Sequence, residues 1–278
     1  MFADDMALYR VITSTNDYVN LQKDISKVSN FLNTKLLEFN LGKCKFMSVS
    51  KKTSRSLKAP TLLLNGYVLQ QVSNYKYLGI TISADLSWHT HINTICNKTR
   101  KLIGLLHRRF SENSSPTTLL KLYTSFVRPH LEYASSVWNP FHKCEINNLE
   151  KVQRFAMRVC LKKWNLKSEE LLTLTRLPSL QLRRLAAVLC HLFKILHNLT
   201  DFPNNPATKR NMTYSSRTVN CFTLVPYQCR TSFYKFSFFP HAITIWNRLV
   251  SHKDFTLVDC TSISSFKSHL YSHLVDML

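Results

Sequence analysis

Between residues 15 and 39 the apolar side chains Leu21, Ile25, Val28, Leu32, Leu36 and Phe39 recur every three or four positions. That spacing places them on one stripe of a helix. Thr15, Asn16 or Asp17 is positioned to cap its start. Ahead of the helix, Met6, Leu8, Val11 and Ile12 predict a strand entered from a tight acidic turn. Beyond it the period changes. CKFMSVS, TLLLNGYVLQQV and YKYLGITI are extended runs, and the middle one carries Asn65-Gly66, the dipeptide that suits a two-residue hairpin turn. The basic, Ser-containing stretch KKTSRSLKA at 51–59 reads as a solvated loop.

After Trp88 helical periodicity takes over. Ile92, Ile95, Cys96, Thr99, Leu102, Ile103 and Leu106 make one apolar face. Ser115-Pro116 is a cap followed by a first-turn proline, and Pro129 should bend or stop the helix begun there. A further helix, from about 144 to 163, sets Leu149, Val152, Ala156 and Val159 against a basic stripe of Lys151, Arg154, Arg158 and Lys162. Residues 180–196 give another apolar helix. Glu169-Glu170 suits a helix start, where acids complement the macrodipole. The segment DFPNNPATKRNMTYSSRT is the best linker candidate, being rich in Pro, Asn, Ser and Thr. Past it an apolar run at 243–249 and a helix near 263–274 are expected. The chain therefore reads as α+β: a small antiparallel unit at 1–85, helices at 86–200, a linker at 201–218 and a basic, aromatic C-terminal region at 219–278.

Composition sharpens this picture. With 278 residues, 45% of them hydrophobic and 19% charged, the chain is in the globular range. Its 37 Lys+Arg against 16 Asp+Glu give +21 at pH 7, a field that suits a polyanion partner. Nucleic acid, RNA or DNA, is favoured over a membrane, because no long apolar run or lipidation motif accompanies the basic residues. No stretch approaches the roughly 18 apolar residues of a membrane span, and MFADDMALYR has no signal pattern. An intracellular protein of the nucleus or cytoplasm is expected. The eight cysteines are scattered without a CxxC pair or zinc spacing and read as reduced, mostly core-filling side chains. His89, His91, His107 and His130 fall in no metal-ligand spacing.

Three short segments occur in a telling order. FADD resembles the polymerase turn F/Y-A-D-D of reverse transcriptases, FNLGKCKFM the later palm strand L-N-x-x-K, and YKYLGITI the primer-grip hairpin Y-x-Y-L-G. DLSWHTHINTICNKTRKLIGLLHR, LYTSFVRPHLEYASSVWNP with LEKVQRFAMRV behind it, and RTSFYKFSFFPHAITIWNRL resemble the thumb and C-terminal segments of LINE-type (non-LTR) retrotransposon reverse transcriptases. The similarity runs over nearly the whole chain. It implies that 1–85 is part of a palm, that 86–200 is a helical thumb or connection, and that the family's activity is RNA-directed DNA polymerisation.

The resemblance also implies roles for individual residues. Asp4 would bind the two catalytic Mg²⁺ ions, with Asp5 as its weaker companion; the ions lower the charge cost of primer 3′-oxygen attack on a nucleotide α-phosphate. Lys43, or less favourably Lys45, matches the palm lysine that neutralises leaving pyrophosphate; for both, plain solvent exposure beside a strand is the alternative. Tyr77, Leu78 and Gly79 match the turn that steadies the primer end, or else are a strand bend. A two-metal site needs a further carboxylate and fingers that hold template and nucleotide. Both would lie before residue 1, in an N-terminal polymerase part, so the chain alone is expected to be inactive while still binding RNA or an RNA–DNA hybrid. The alternative is a non-enzymatic nucleic-acid-binding or interaction protein derived from a decayed element, using only its basic helices.

The basic helices stand apart from that chemistry. Lys98, Lys101, Arg108 and Arg109, together with Lys151, Arg154, Arg158 and Lys162, either track phosphates or form solvated helix faces. Trp88, Tyr123, Tyr133, Trp138, Trp164 and Trp246 suggest base stacking, but at helical spacing they are expected in the core.

Overall fold

The computed structural model describes residues 5–50, 60–110, 112, 114–200, 222–251 and 262–275. The architecture is α+β. Short two-stranded sheets accompany one helix in the first of two compact units, Met1–His91, and the second unit, Ile92–Leu278, is helical.

In the first unit α1 runs from Thr15 to Thr34. Its N-cap is Ser14, one residue before the expected caps, and Asp17 takes the third helical position. The Asp17 carboxylate accepts from the backbone N–H of both Thr13 (2.9 Å) and Ser14 (2.8 Å), satisfying donors that the start of a helix leaves open. Those bonds hold its pKa down at about 2. The helix stops short of the expected residue 39 because Leu36 is left-handed (φ 55°), while Leu37 N–H returns to Leu32 O at 3.0 Å. This is a helix-ending turn built without glycine.

The first strand expected does not form. Asp5 makes an isolated bridge, but residues 6–12 join no ladder among the described residues, so their alternation has no neighbouring strand to register against. Lys45–Phe46 (β1) pairs in parallel with Gln70–Gln71 (β4). Leu63–Leu64 (β2) and Tyr67–Val68 (β3) form the expected hairpin, with Asn65 (φ 48°) and Gly66 (φ 81°) in the turn. Two positive φ values in a two-residue loop match the right-handed twist of its strands. Asn74–Tyr77 (β5) and Ile80–Ser83 (β6) make a second hairpin, turning on Leu78 (φ 46°) and Gly79 (φ 83°).

In the second unit α2 spans His89–Phe110 and so straddles the division between the units; it buries Ile92, Cys96, Thr99 and Ile103 as expected. Ser115 caps α3 (Pro116–Leu122), its Oγ accepting from Thr118 N–H at 3.2 Å. Pro129 then has its effect. Its missing N–H and its ring disrupt the regular ladder, and the chain widens into a π-helical turn at Tyr123–Val127 before α4 (Arg128–Glu132) and the short α5 (Ser135–Trp138). Next come α6 (Lys143–Leu161), α7 (Ser168–Thr175) and α8 (Leu180–Leu196). Glu170 does serve a helix start, accepting from Lys167 N–H at 2.8 Å.

One hydrophobic core joins α8 to the C-terminal helices: α9 (Ser232–Lys235) leads into α10 (Phe238–Val250), and α11 (Ile263–Val275) packs on α8. Leu189, Phe193, Ile243, Trp246, Phe266 and Leu270 are buried together, with Phe193 stacked on Phe266 at 4.5 Å. Helices on both sides of the expected linker thus share one core, and the linker at 201–218 lies outside the described residues. The loop expected at 51–59 does too.

Candidate nucleic-acid interface

The residues assigned to chemistry in the first unit fall into two groups. Asp4 lies outside the described residues, and Asp5 is exposed. Among the described residues no three His, Cys, Asp or Glu side chains converge as metal ligands.

Lys43 and the β5–β6 hairpin, by contrast, are held together. Lys43 sits on a turn closed by its N–H to Asn40 O (3.0 Å), with its side chain exposed. Tyr75 of the hairpin donates its hydroxyl to the Lys43 carbonyl at 3.2 Å. The two segments are joined again where Ser50 N–H donates to Ala84 O at 3.1 Å. Tyr77 and Leu78 are half-buried and Gly79 is exposed at the tip. Lys45 is engaged sideways, its Nζ donating to Gln70 Oε1 at 2.8 Å, which leaves Lys43 as the freer of the two lysines.

In the second unit the basic residues of α2 and α6 are mostly outward. Lys98, Lys101, Arg108, Arg109, Lys151 and Lys162 are exposed, and Arg154 is half-buried. Among the described residues the ion pairs involve Arg10, Arg128 and Arg183 instead. Among the described residues, then, no carboxylate pairs with the cations of these two helix faces. Two members of the expected sets do other work. Lys98 lies 3.4 Å from His130 Nδ1, and Arg158 turns back so that its Nη2 donates to the Leu166 carbonyl at 3.2 Å. Arg158 thus secures the α6–α7 connection, and the basic side chains of α6 left facing outward are Lys151, Arg154 and Lys162.

The ends of α2 and α6 meet around an open cavity of about 310 Å³ lined by His107, Glu112, Val159, Lys162 and Trp164. Lys162 is the left-handed residue that ends α6 (φ 57°), so the chain leaves the helix axis there and carries Trp164 outward. Trp164 remains 54% exposed, its ring only tilted against Phe155 at 6.3 Å. Trp138 and Trp246 instead are buried, their indole N–H groups donating to the carbonyls of Tyr133 (2.8 Å) and Phe222 (2.9 Å). Tyr123 is buried too and donates to Gln153 Oε1 at 3.1 Å, whereas Tyr133 is exposed. The core expectation for the aromatics thus holds for Tyr123, Trp138 and Trp246, and fails for Trp164 and Tyr133.

The buried thiols are chemically quiet. Burial pushes Cys160 up to about 12 and also raises Cys96 and Cys190, so little thiolate exists near neutral pH. No helix among the described residues is long and apolar enough to cross a membrane.

No family profile and no solved structure matches the chain. It is similar, at 27% identity over 160 residues, to a probable RNA-directed DNA polymerase from transposon BS of Drosophila melanogaster, a match covering 56% of this chain and 18% of that protein. It is similar at 24% identity to the RNA-directed DNA polymerases from mobile element jockey of Drosophila funebris, over 56% of this chain and 17% of the relative, and of Drosophila melanogaster, over 75% and 22%. The chain thus spans about a fifth of the length of the curated relatives it matches. These homologues are RNA-directed DNA polymerases of LINE-type mobile elements, the group to which the three ordered motifs point.

Proposed function

We propose that this chain is a segment of a retrotransposon reverse transcriptase that grips RNA or an RNA–DNA hybrid through the basic faces of α2 and α6. The observation that carries the reading is the junction of those helices, where Lys162 lines one cavity with the exposed ring of Trp164, and Arg108 and Arg109 at the end of α2 are exposed and, among the described residues, make no ion pair. Unpaired cations follow a phosphate backbone, and an exposed indole offers one base a stacking surface of any sequence. In the first unit, the turn carrying Lys43 and the Tyr77–Gly79 hairpin would support the primer end.

Asp4 and Asp5 would hold Mg²⁺ only when joined by a further carboxylate, which these residues do not supply. The 278-residue chain by itself is therefore proposed to extend no primer. The polymerase reaction would belong to the longer protein of which this segment is about a fifth in the relatives.

The test is filter binding of poly(rA)/oligo(dT) across a salt series, with primer extension run on the same preparation. If Lys101, Arg108, Arg109, Lys151, Arg154 and Lys162 each neutralise a phosphate, the log–log salt slope on this duplex is about −5 to −5.5. The double reversal Lys151→Glu, Arg154→Glu lowers its magnitude by about two. A slope unchanged by the reversal would overturn the proposed interface. Extension that Asp4→Ala abolishes would overturn the proposed inactivity.

A further inference from the structure

A second basic hollow lies away from α2 and α6, between α8 and α11 with the α4–α5 corner as its wall. It encloses about 260 Å³, and its lining includes Ser135, Arg183, His191, Lys194, Lys267 and Tyr271. Ala186 and Ala187 lie along its floor, where short side chains leave the room open. One carboxylate, Glu132, also lines it, but that charge is committed. Arg183 Nη2 donates to Glu132 Oε2 at 2.9 Å, Arg183 Nε holds the other oxygen, and Arg128 Nε lies 3.6 Å away.

With Glu132 neutralised by arginine, the unbalanced charge is that of Lys194 and Lys267, whose ammonium groups have no ion pair or hydrogen bond among the described residues. They come from different helices, yet both bear on the same neighbours. The two ammonium groups together depress His191 beyond the effect of burial and act in the same sense on Cys190. His191 is itself oriented by a contact of 2.9 Å between its Nδ1 and Ser136 Oγ. Two lysines lining one hollow, with Tyr271 and Ser135 on the same walls, supply a donor set for a compact oxyanion.

We propose that this hollow is a phosphate-binding niche, in which a phosphate or phosphodiester group sits between Lys194 and Lys267 with Tyr271 and Ser135 as flanking donors. Its charge and size suit one phosphate group and its hydration better than an extended ligand. That the phosphate belongs to a polynucleotide rests on the function proposed above; the niche itself does not. On a bound strand, the niche would add contacts contributed by the C-terminal helix α11 to those of α2 and α6.

The experiment uses the full chain and the double variant Lys194→Gln, Lys267→Gln, both screened for an unchanged melting curve. Inorganic phosphate is titrated by calorimetry while the His191 imidazole is followed by NMR. An anion seated beside it should raise the His191 pKa, and the double variant should bind phosphate at least tenfold more weakly with no such rise. In parallel, the salt slope for poly(rA)/oligo(dT) should fall in magnitude by about 1.5 to 2 in the double variant.

Loss of phosphate binding with a reduced polymer slope supports a niche for backbone phosphodiesters. Loss of phosphate binding with an unchanged slope supports the niche but assigns it to a small free phosphate. If phosphate neither binds nor moves His191, or if the variant binds it equally, the proposal is wrong. Failure of all polymer binding would overturn the proposed function while leaving the phosphate and His191 result to stand by itself.

Discussion

Arg184 of α8 is 1% exposed, and neither of its Nη nitrogens has a hydrogen-bond partner among the described residues. Its Nε donates to Asn139 Oδ1 at 3.3 Å. Burial is the main cause that lowers its pKa from the ordinary arginine value to about 10, against weaker attraction from Glu150 and Glu132. At about 1.4 kcal/mol per tenfold change in proton affinity, that fall corresponds to about 3 kcal/mol against the charged guanidinium in the folded state. A cation whose folded pKa lies below its unfolded one is penalised at every pH under about 10, and the penalty fades only as pH rises above it. Replacing Arg184 by Met keeps much of the length of the side chain and removes a buried charge that makes no ion pair among the described residues, so no carboxylate is left without its partner. Losing the bond to Asn139 returns about 1 kcal/mol. Arg184→Met should therefore stabilise the second unit by about 2 kcal/mol, or about 4–8 °C in Tm for a unit of this size. Thermal and urea denaturation followed by circular dichroism measure this directly. A variant less stable than the parent by 1 kcal/mol or more would mean that the Nη groups are satisfied, and the reasoning would fail.

Other consequences are local. Asp17→Asn should flatten the acid limb of the first unit's stability curve: the carboxylate's folded pKa of about 2 lies below its ordinary value of 3.8, so its contribution is present above about pH 4 and is lost as pH falls through about 2. An acid titration of α1 helicity that is identical in variant and parent would contradict the capping role. Leu36→Gly should stabilise by about 0.5–1 kcal/mol, because Leu36 is 92% exposed at φ 55° and contributes strain without packing. Gly79→Ala, at φ 83°, should destabilise the β5–β6 hairpin by about 1 kcal/mol, read as faster amide exchange at Tyr77 and Ile80. Trp164→Ala should weaken single-strand binding by about 1–3 kcal/mol with an unaltered salt slope, since stacking involves no counterion.

The interiors of α2 and α6 were legible because their apolar side chains recur with the helical period and bury, Ile92, Cys96 and Ile103 on α2 and Leu149, Val152 and Ala156 on α6; on α1 the same period gave a stripe, Leu21, Ile25, Val28 and Leu32, that is only half-buried. Their ends were harder to read. The chain has four glycines, so the left-handed residues that stop α1, α6 and α7 are Leu36, Lys162 and Arg176, none of which carries a stop signal. The strand expected at residues 6–12 has the right alternation, but a ladder is a property of two segments, and alternation in one does not supply the other.

Candidate site residues divide in the same way. The association of Lys43 with the hairpin accords with the order of the motifs and is secured by the Tyr75 hydroxyl. Trp164 would join the core only if helical spacing continued past Lys162, where the chain leaves the helix. Lys194 and Lys267 are brought to one hollow only by the packing of α8 on α11, and no period in the sequence connects them.

The interface itself can be located by photocrosslinking. A single-stranded RNA carrying 5-iodouridine, bound to the full chain and irradiated, should attach to the peptide containing Trp164, and Lys151→Glu with Arg154→Glu should suppress that attachment. Crosslinks found only in Met1–His91, or an undiminished yield at Trp164 after the reversal, would contradict the assignment of α2 and α6 as the nucleic-acid-binding surface.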